Sequence, residues 1–174
     1  MDEKLKKEIL DWLKTIVFAF VIAMLIKTFL FEIVSVDGNS MYPTLHNGEK
    51  LIANRLVYRF EKPQRGDIII FRYPSDPKWN FIKRVIAVEG DSVEIKNGKV
   101  LVNNREINEP YINEMTLGYY KLDKVPQNTV FVLGDNRNNS KDSRFPDVGP
   151  VPLKNIVGKA VFRIFPFTRF GIVK

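Results

Sequence analysis

The feature that most restricts the fold of this sequence is a run of twenty residues near the N-terminus, 12–31, in which only Lys14 and Lys27 are charged. As an α-helix such a run is about 30 Å long, which matches the hydrocarbon thickness of a bilayer. Both lysines lie close enough to its ends for their amines to reach the polar interfaces. The run predicts a single-pass transmembrane helix over 12–31 that follows a cytoplasmic tail over 1–11.

A buried helical hairpin and a cleavable signal sequence are the two other interpretations of this run. Its uninterrupted apolar core, 16–26, has only eleven residues, the length of a signal-sequence core. No small-x-small cleavage site follows it, which favours a retained anchor. Lysines are concentrated before or early in the run, whereas Lys50 alone lies in the first twenty residues after it. The positive-inside rule therefore places the N-terminus in the cytoplasm and the remainder, 32–174, outside it.

Beyond the anchor the pattern is mostly β. Short apolar runs bounded by Gly, Pro, Asn or Asp recur, and they predict strands at 50–54, 67–71, 81–88, 93–95, 100–102, 130–133 and 158–164. Asn97-Gly98 lies between two alternating runs and is typical of a type I′ hairpin turn. The spacing predicts an antiparallel β-barrel-like domain over 32–174. Residues 103–128 have weaker periodicity and are expected to form a subdomain or an excursion.

Composition excludes several kinds of catalytic site. The chain has no cysteine, so it has no thiol nucleophile, disulfide or cysteine-bound metal. Its single histidine, His46, excludes a multi-histidine metal centre within the chain and would have to serve any Ser-His-Asp triad. The net charge of +7 suits nucleic acid, acidic protein or anionic lipid, and composition does not choose among them.

Three stretches are more particular than ordinary turns: 38–45, 81–86 and 134–144. Taken alone, Ser40 in the first can be a plain loop serine, and the third can be a solvated loop. Lys83 in the second shares a strand face with apolar residues. It is either an edge lysine with its amine in water or a buried lysine with a lowered pKa.

Together these stretches resemble the type I (bacterial) signal peptidases over nearly the whole chain. Ser-Met-x-Pro-Thr at 40–44 is similar to the nucleophile box of that family, 66–71 to its Gly-Asp-apolar-Phe strand, and 83–84 to its base box. Residues 134–144 reproduce Gly-Asp-Asn-Arg-x-x-Ser-x-Asp-Ser-Arg in full. The resemblance implies a membrane-bound serine endopeptidase that removes signal peptides from exported preproteins after a small-x-small motif.

The resemblance also assigns roles to individual residues. Ser40 is expected to be the nucleophile and Lys83 its neutral general base, a Ser-Lys variant of triad catalysis. Ser140 is expected to hydrogen-bond and orient the lysine. Because Gly38 stands where some members carry an oxyanion-binding serine, the oxyanion hole must consist of backbone N–H groups, chiefly that of Ser40.

Supporting residues are implied in the same way. Two ion pairs are expected behind the site, Asp142 with Arg144 and Asp135 with Arg84. Five residues match positions that line the apolar pockets for the substrate's two small residues, although each could equally belong to the core: Val36, Met41, Leu45, Phe81 and Ile82.

The implied partners are signal peptides, the phospholipid membrane and the secretion translocon, with no nucleic acid, metal or organic cofactor. The expected location is the cytoplasmic membrane, with the catalytic domain on its extracytoplasmic side. One rival is a self-cleaving repressor with a similar Ser-Lys site, although such repressors have an N-terminal DNA-binding region. The other is a non-catalytic, membrane-anchored module with a basic surface.

Overall fold

The computed structural model describes residues 3–173, except for the side chains of residues 23 and 25–29. Helix α1 spans Glu3–Leu30, and its described apolar side chains, such as Trp12 and Phe18, are exposed. None of the helices in this described part combines the length and apolar character needed to cross a bilayer. The predicted span over 12–31 includes positions 23 and 25–29, which lie outside the described side chains, so the span stays a prediction.

The rest of the chain consists mainly of short strands, and every predicted apolar run forms one. The strands are β1 Phe31–Ser35, β2 Lys50–Asn54, β3 Ile68–Arg72, β4 Asn80–Val88, β5 Val93–Lys96, β6 Lys99–Val102, β7 Arg105–Glu106, β8 Tyr120–Leu122, β9 Thr129–Leu133, β10 Val151–Pro152, β11 Ile156–Phe165 and β12 Gly171–Ile172. Helix α2 spans Val57–Phe60, and 3-10 turns occupy Leu153–Asn155 and Phe167–Arg169. The prediction of a mostly β chain is therefore confirmed.

Eight antiparallel strands form the main sheet in the order β1-β2-β11-β3-β4-β9-β10, with β12 paired to β11. Strands β1 and β10 lie at its two ends and, among the described residues, do not pair with each other. The predicted barrel-like closure was wrong in this respect. Strand β10 has only two residues, and Pro152 has no N–H with which to continue a ladder, so the sheet stays open at that edge.

A second sheet, in the order β7-β6-β5-β8, is built from residues 93–122. Asn97 and Gly98 join β5 to β6 with φ values of 52° and 78°, as the predicted type I′ turn requires. The segment 103–128, expected to be an excursion, supplies β7 and β8 of this sheet. One face of the sheet packs on Phe131 and Leu133 of β9, which joins it to the main sheet.

The centre of the main sheet is apolar on both faces. Strand β3 is buried from Ile68 through Phe71, the continuous pattern of a strand covered on both sides. On β4, Ile82 packs on one face with Met41, and Val85 packs in a separate cluster. Lys83 lies between them in the chain, so the fold places an amine in an apolar environment.

Candidate active site

Ser40 lies in the connection between β1 and β2. The base of this connection is closed by the Val36 N–H, which donates to the Glu49 carbonyl at 2.8 Å. Gly38 has a φ of +85°, a conformation that favours glycine, and its N–H donates to Asn47 Oδ1 at 2.9 Å. The chain therefore bends sharply two residues before Ser40.

Lys83 reaches Ser40 from the middle of the main sheet. It lies opposite Ile69 on β3, and the pairing of β4 with β9 begins only at Arg84. Its side chain is buried, with 4% exposed. Nζ lies 2.7 Å from Ser40 Oγ and 2.9 Å from the carbonyl oxygen of Ile82. The structure thus brings the two expected dyad residues within hydrogen-bonding distance.

Burial lowers the pKa of Lys83 from 10.5 to about 8, because an ammonium group loses its hydration inside the protein. Asp142 and Asp135 act in the opposite direction, since their negative charges favour the ammonium form. The ring of Phe81 lies 5.2 Å from Nζ and covers the amine on one side. Near neutral pH an appreciable fraction of Lys83 is therefore uncharged and able to accept a proton.

Gly134 and Ser140 meet behind the nucleophile. A Cβ at Gly134 would lie 2.2 Å from Ser140 Oγ and 2.4 Å from the backbone oxygen of Ser40, so only glycine fits. Ser140 Oγ is buried and has no hydrogen-bond partner among the described residues. The expected hydrogen bond from Lys83 to Ser140 is therefore not formed, and the carbonyl of Ile82 accepts from the amine instead.

Asn136 ties the 134–144 loop directly to the nucleophile. Its N–H donates to the Ser40 carbonyl at 3.1 Å, and its side-chain amide donates to the carbonyl of Asn39 at 3.0 Å. These bonds connect residues nearly a hundred positions apart in the sequence. The loop motif therefore supports the nucleophile through Asn136 as well as through Gly134.

Both expected ion pairs are present in the structure. Arg84 Nε and Nη2 donate to the two carboxylate oxygens of Asp135 at 2.8 and 2.7 Å, and both residues are buried. Arg144 Nε and Nη2 donate to the two oxygens of Asp142 at 2.8 and 2.9 Å. Asp142 also accepts the Gly134 N–H at 3.0 Å. Each carboxylate is thus held by a bidentate arginine next to the site.

A second charged group, which the sequence did not indicate, holds the turn that follows the nucleophile. Arg163 Nη2 donates to the Thr44 carbonyl at 2.7 Å, and Arg169 Nη2 donates to it at 3.3 Å. Buried Glu49 pairs with both, at 2.6 Å from Arg169 Nη1 and 2.9 Å from Arg163 Nε. The contact with Arg163 Nε is an ion pair that is not aligned as a hydrogen bond.

Arg137 links the site to the second sheet and was not assigned a role from the sequence, although it lies within the 134–144 motif. It is completely buried and pairs with Glu109, and it donates to Thr116 Oγ1 at 2.9 Å. The ring of Tyr111 lies 3.9 Å from the guanidinium of Arg84 and 5.9 Å from that of Arg137. The sequence indicates this role of Arg137 only by placing an arginine in a polar run that otherwise resembles a loop.

A cleft of about 390 Å³ opens beside the dyad. Its lining includes Ser40 and Lys83 together with four of the five expected pocket residues, Val36, Met41, Phe81 and Ile82. Leu45, the fifth, does not line it, because its N–H donates to the Met41 carbonyl and its fully buried side chain points into the core. Leu45 therefore lies in the core, the alternative that the sequence leaves open for all five residues. Exposed Trp79 and Lys141 also border the cleft.

His46 does not take part in this arrangement. Its ring packs against that of Tyr42, with 5.1 Å between centroids, and it does not line the cleft. Within the described part of the chain, no group of three or more acidic or histidine side chains is placed to hold a metal ion. The titratable group that faces Ser40 is Lys83.

This chain is similar to known proteins over most of its length. A family model described as "Signal peptidase, peptidase S26" matches residues 9–165. A signal peptidase I of Leptolyngbya laminosa is 40% identical over 97% of this chain and 85% of its own length. Signal peptidase I S of Bacillus subtilis is also 40% identical, over 93% of this chain and 92% of its own. The crystal structure of a signal peptidase I from Enterococcus faecalis is 31% identical, with a TM-score of 0.52 over 57% of this chain and 97% of that chain.

Proposed function

This chain belongs to the signal peptidase family, peptidase S26, and from that premise we propose that Ser40 and Lys83 cleave signal peptides from exported preproteins. The chain is thus a serine endopeptidase that acts on preproteins. The observation that carries the assignment of the dyad is the 2.7 Å contact between Lys83 Nζ and Ser40 Oγ inside a buried environment. The repressor and the non-catalytic module, the two rivals, do not account for the family match.

Catalysis begins when the neutral amine of Lys83 accepts the proton of the Ser40 hydroxyl. Ser40 Oγ then attacks the scissile carbonyl, and a tetrahedral oxyanion forms. The ammonium of Lys83 returns the proton to the leaving amine as the peptide bond breaks, which leaves an acyl ester on Ser40. A water molecule then gives a proton to Lys83 and attacks the ester, and the ammonium returns that proton to Ser40 Oγ as the ester bond breaks. Throughout, the hydrogen bond to the Ile82 carbonyl keeps the amine directed at Ser40.

The oxyanion is stabilised by backbone N–H groups in this proposal. The N–H of Ser40 is the chief donor, and Gly38 lets the substrate approach the backbone closely because it has no side chain. Loss of one such donor typically costs about 3 kcal/mol of transition-state stabilisation. The hydrogen bonds from Asn136 hold Ser40 and Asn39, so they fix the direction of this donor.

The substrate lies extended in the cleft beside the dyad. On β4, the residues before Arg84 do not pair with β9, so an edge of backbone is open to an added strand. Val36, Met41, Phe81 and Ile82 line the same cleft and leave room for small apolar side chains. This arrangement accounts for cleavage after a small-x-small motif, with no cofactor required.

The supporting residues hold the site in place and do not transfer protons. Asp135 with Arg84 holds the 134–144 loop against β4, whereas Asp142 with Arg144 ties the two ends of the loop together through the Gly134 N–H. Ser140 supports the dyad by packing against Gly134, next to the Ser40 carbonyl.

We further propose that α1 attaches the enzyme to the cytoplasmic membrane, with the N-terminus in the cytoplasm and 32–174 on the extracytoplasmic side, where preproteins leave the translocon. Support comes from the exposed apolar side chains of α1 and from the lysines before its apolar segment. Because the chain has no cysteine, single cysteines at Lys6 and Lys124 report topology without background. A membrane-impermeant thiol reagent applied to intact cells should label only Lys124→Cys. Labelling of Lys6→Cys would contradict the orientation.

The catalytic assignment is tested by cleavage of a purified preprotein in neutral detergent, with the product identified by mass. Ser40→Ala and Lys83→Ala should each reduce cleavage by at least about a thousandfold. His46→Ala should cleave at close to the wild-type rate. Full activity in either dyad variant, or loss of activity in the histidine variant alone, would overturn the assignment.

A further inference from the structure

A second cleft, of about 550 Å³, is lined by basic side chains and is separate from the catalytic cleft. Four cations contribute to its lining, and they come from four different segments: Arg55, Arg59, Arg72 and Lys154. No carboxylate is among the residues that line it. The basic cleft is therefore positively charged, on a chain whose net charge is +7.

The topology of the main sheet explains why these cations meet. Strand β11 lies between β2 and β3 and runs antiparallel to both. The ends of β2 and β3 therefore meet the beginning of β11 at one edge of the sheet. Arg55 follows β2, Arg72 ends β3, and Lys154 lies in the turn that leads into β11. Arg59 is added by α2, which follows β2.

The charges of the basic cleft are poorly neutralised by the protein itself. Among the described ion pairs, Arg59, Arg72 and Lys154 have no carboxylate partner. Arg55 has a distant one, with Nε 3.7 Å from Glu32 Oε2. Like charges that face a common cleft raise the local potential and attract an anion with several negatively charged oxygens.

The basic cleft also lies beside the end of helix α1. The Arg55 N–H donates to the Leu30 carbonyl at 3.0 Å, and Phe31 pairs with Asn54. The last residue of α1 is thus one hydrogen bond from a residue that lines the cleft. Phe60, at the end of α2, is 84% exposed nearby in the chain. If α1 is attached to the membrane, the cleft lies close to the layer in which lipid phosphates lie.

We propose that the basic cleft binds the phosphate of an anionic glycerolipid headgroup, such as phosphatidylglycerol. Arg55, Arg59, Arg72 and Lys154 contact the phosphate, and the apolar part of the lining, from Leu56, Leu153 and Ile156, contacts the glycerol and the first acyl carbons. Bound lipid fixes the catalytic domain on the membrane surface. This inference rests on the proposed attachment of α1 to a membrane.

The test measures binding of short-chain phosphatidylglycerol and short-chain phosphatidylcholine to the full chain in neutral detergent. Wild type should bind the anionic lipid at least about tenfold more tightly, and the difference should shrink as salt is added. The variant Arg59→Gln/Arg72→Gln/Lys154→Gln should lose that preference. The matched control, Lys96→Gln/Lys121→Gln/Lys124→Gln, removes three exposed cations of the second sheet and its flank. This control should keep the preference for the anionic lipid.

Two further measurements separate loss of lipid binding from misfolding and from binding of free phosphate. Cleavage of a soluble signal-sequence peptide should be unchanged in the triple variant, which shows that its catalytic domain is folded. Inorganic phosphate should compete only weakly. Equal binding of both lipids, an unchanged preference in the triple variant, or equally strong competition by phosphate would overturn the proposal. Failure of the proposed membrane attachment would be detected separately by the cysteine labelling, because the binding measurement needs no bilayer.

Discussion

Lys83 Nζ lies 2.7 Å from Ser40 Oγ, although 43 positions separate the two residues in the chain. Strand β1 leads to Ser40 from one edge of the main sheet, and β4 carries Lys83 near its middle. The turn after β1 folds back over the sheet, with Met41 packed in the same cluster as Ile82. The contact therefore depends on core packing, and its chemistry depends on whether the buried amine is charged.

We expect kcat/KM for a signal-peptide substrate to rise with pH and to reach half of its maximum near pH 8. Burial lowers the pKa of Lys83 to about 8, and only the neutral amine above that pKa can accept the proton of Ser40. Steady-state kinetics of the full chain in neutral detergent, from about pH 6 to about pH 10, measure this limb. A half-maximum close to the pKa of a solvated lysine would contradict a buried neutral base.

The same buried amine should make stability depend on pH. Because the pKa of Lys83 is lower in the folded than in the unfolded state, the folded protein binds its proton less well. The cost of burying the ammonium, up to about 3 kcal/mol, is present below pH 8 and disappears as pH rises through 8 towards 10.5. The free energy of unfolding of wild type should therefore rise between pH 8 and 10.5, and that of Lys83→Met should lack this rise. Denaturant titration at several pH values measures the difference.

The control for this measurement is Lys124→Met, because Lys124 is exposed. It should show the same pH dependence as wild type. Only the difference between Lys83→Met and wild type is diagnostic, since other groups titrate in both proteins. If the free energy of unfolding of Lys83→Met and of wild type depends on pH in the same way, burial does not lower the pKa of Lys83.

Gly134→Ala should reduce kcat by about a hundredfold or more, with a smaller change in KM. A methyl group there would lie 2.2 Å from Ser140 Oγ and 2.4 Å from the Ser40 carbonyl oxygen, so it must displace the nucleophile. Displacements of about 1 Å commonly cost this much in catalysis. Gly118→Ala is the control, because Gly118 has a φ of +90° but open space around it. It should cost some stability and leave kcat unchanged.

The parts of this protein that could be predicted from sequence are those with a local signal. Apolar runs predicted the strands because alternation and turn residues act over a few positions, as at Asn97 and Gly98. Ser40 and Lys83 were named together only through the family resemblance, since strand pattern gives no pairing across 43 positions. The burial of Leu45 likewise has no local signal, because it depends on packing with Met41 and Ile82.

Other contacts have no local signal at all. The hydrogen bond of Arg163 to the Thr44 carbonyl spans 119 positions and exists because β11 pairs with β2. Burial of Glu49 between two arginines follows from the same pairing. The close approach of Ser140 to Gly134, which leaves its hydroxyl without a hydrogen-bond partner among the described residues, also depends on packing between distant parts of the fold. Such features are set by tertiary packing and cannot be obtained from periodicity or composition.

Glu49 and Arg163 should be strongly coupled in stability. Removing Glu49 leaves Arg163 and Arg169 as adjacent cations with no carboxylate between them, and Glu49→Ala should cost about 3 to 5 kcal/mol of unfolding free energy. Arg163→Ala should also destabilise, but the double variant should be less destabilised than the sum of the two. Denaturant titration of wild type, both single variants and the double variant gives the coupling energy.

The matched control is the exposed pair Lys99 and Glu106, whose side chains are 57% and 54% exposed. Its cycle should give a coupling energy below about 1 kcal/mol, because solvent screens exposed charges. The Glu49 and Arg163 cycle should exceed it, since Glu49 is only 2% exposed. Additive effects of Glu49→Ala and Arg163→Ala would contradict the predicted coupling. Arg163→Lys should have a lower kcat than wild type, because it loses the hydrogen bond to the Thr44 carbonyl in the turn after Ser40.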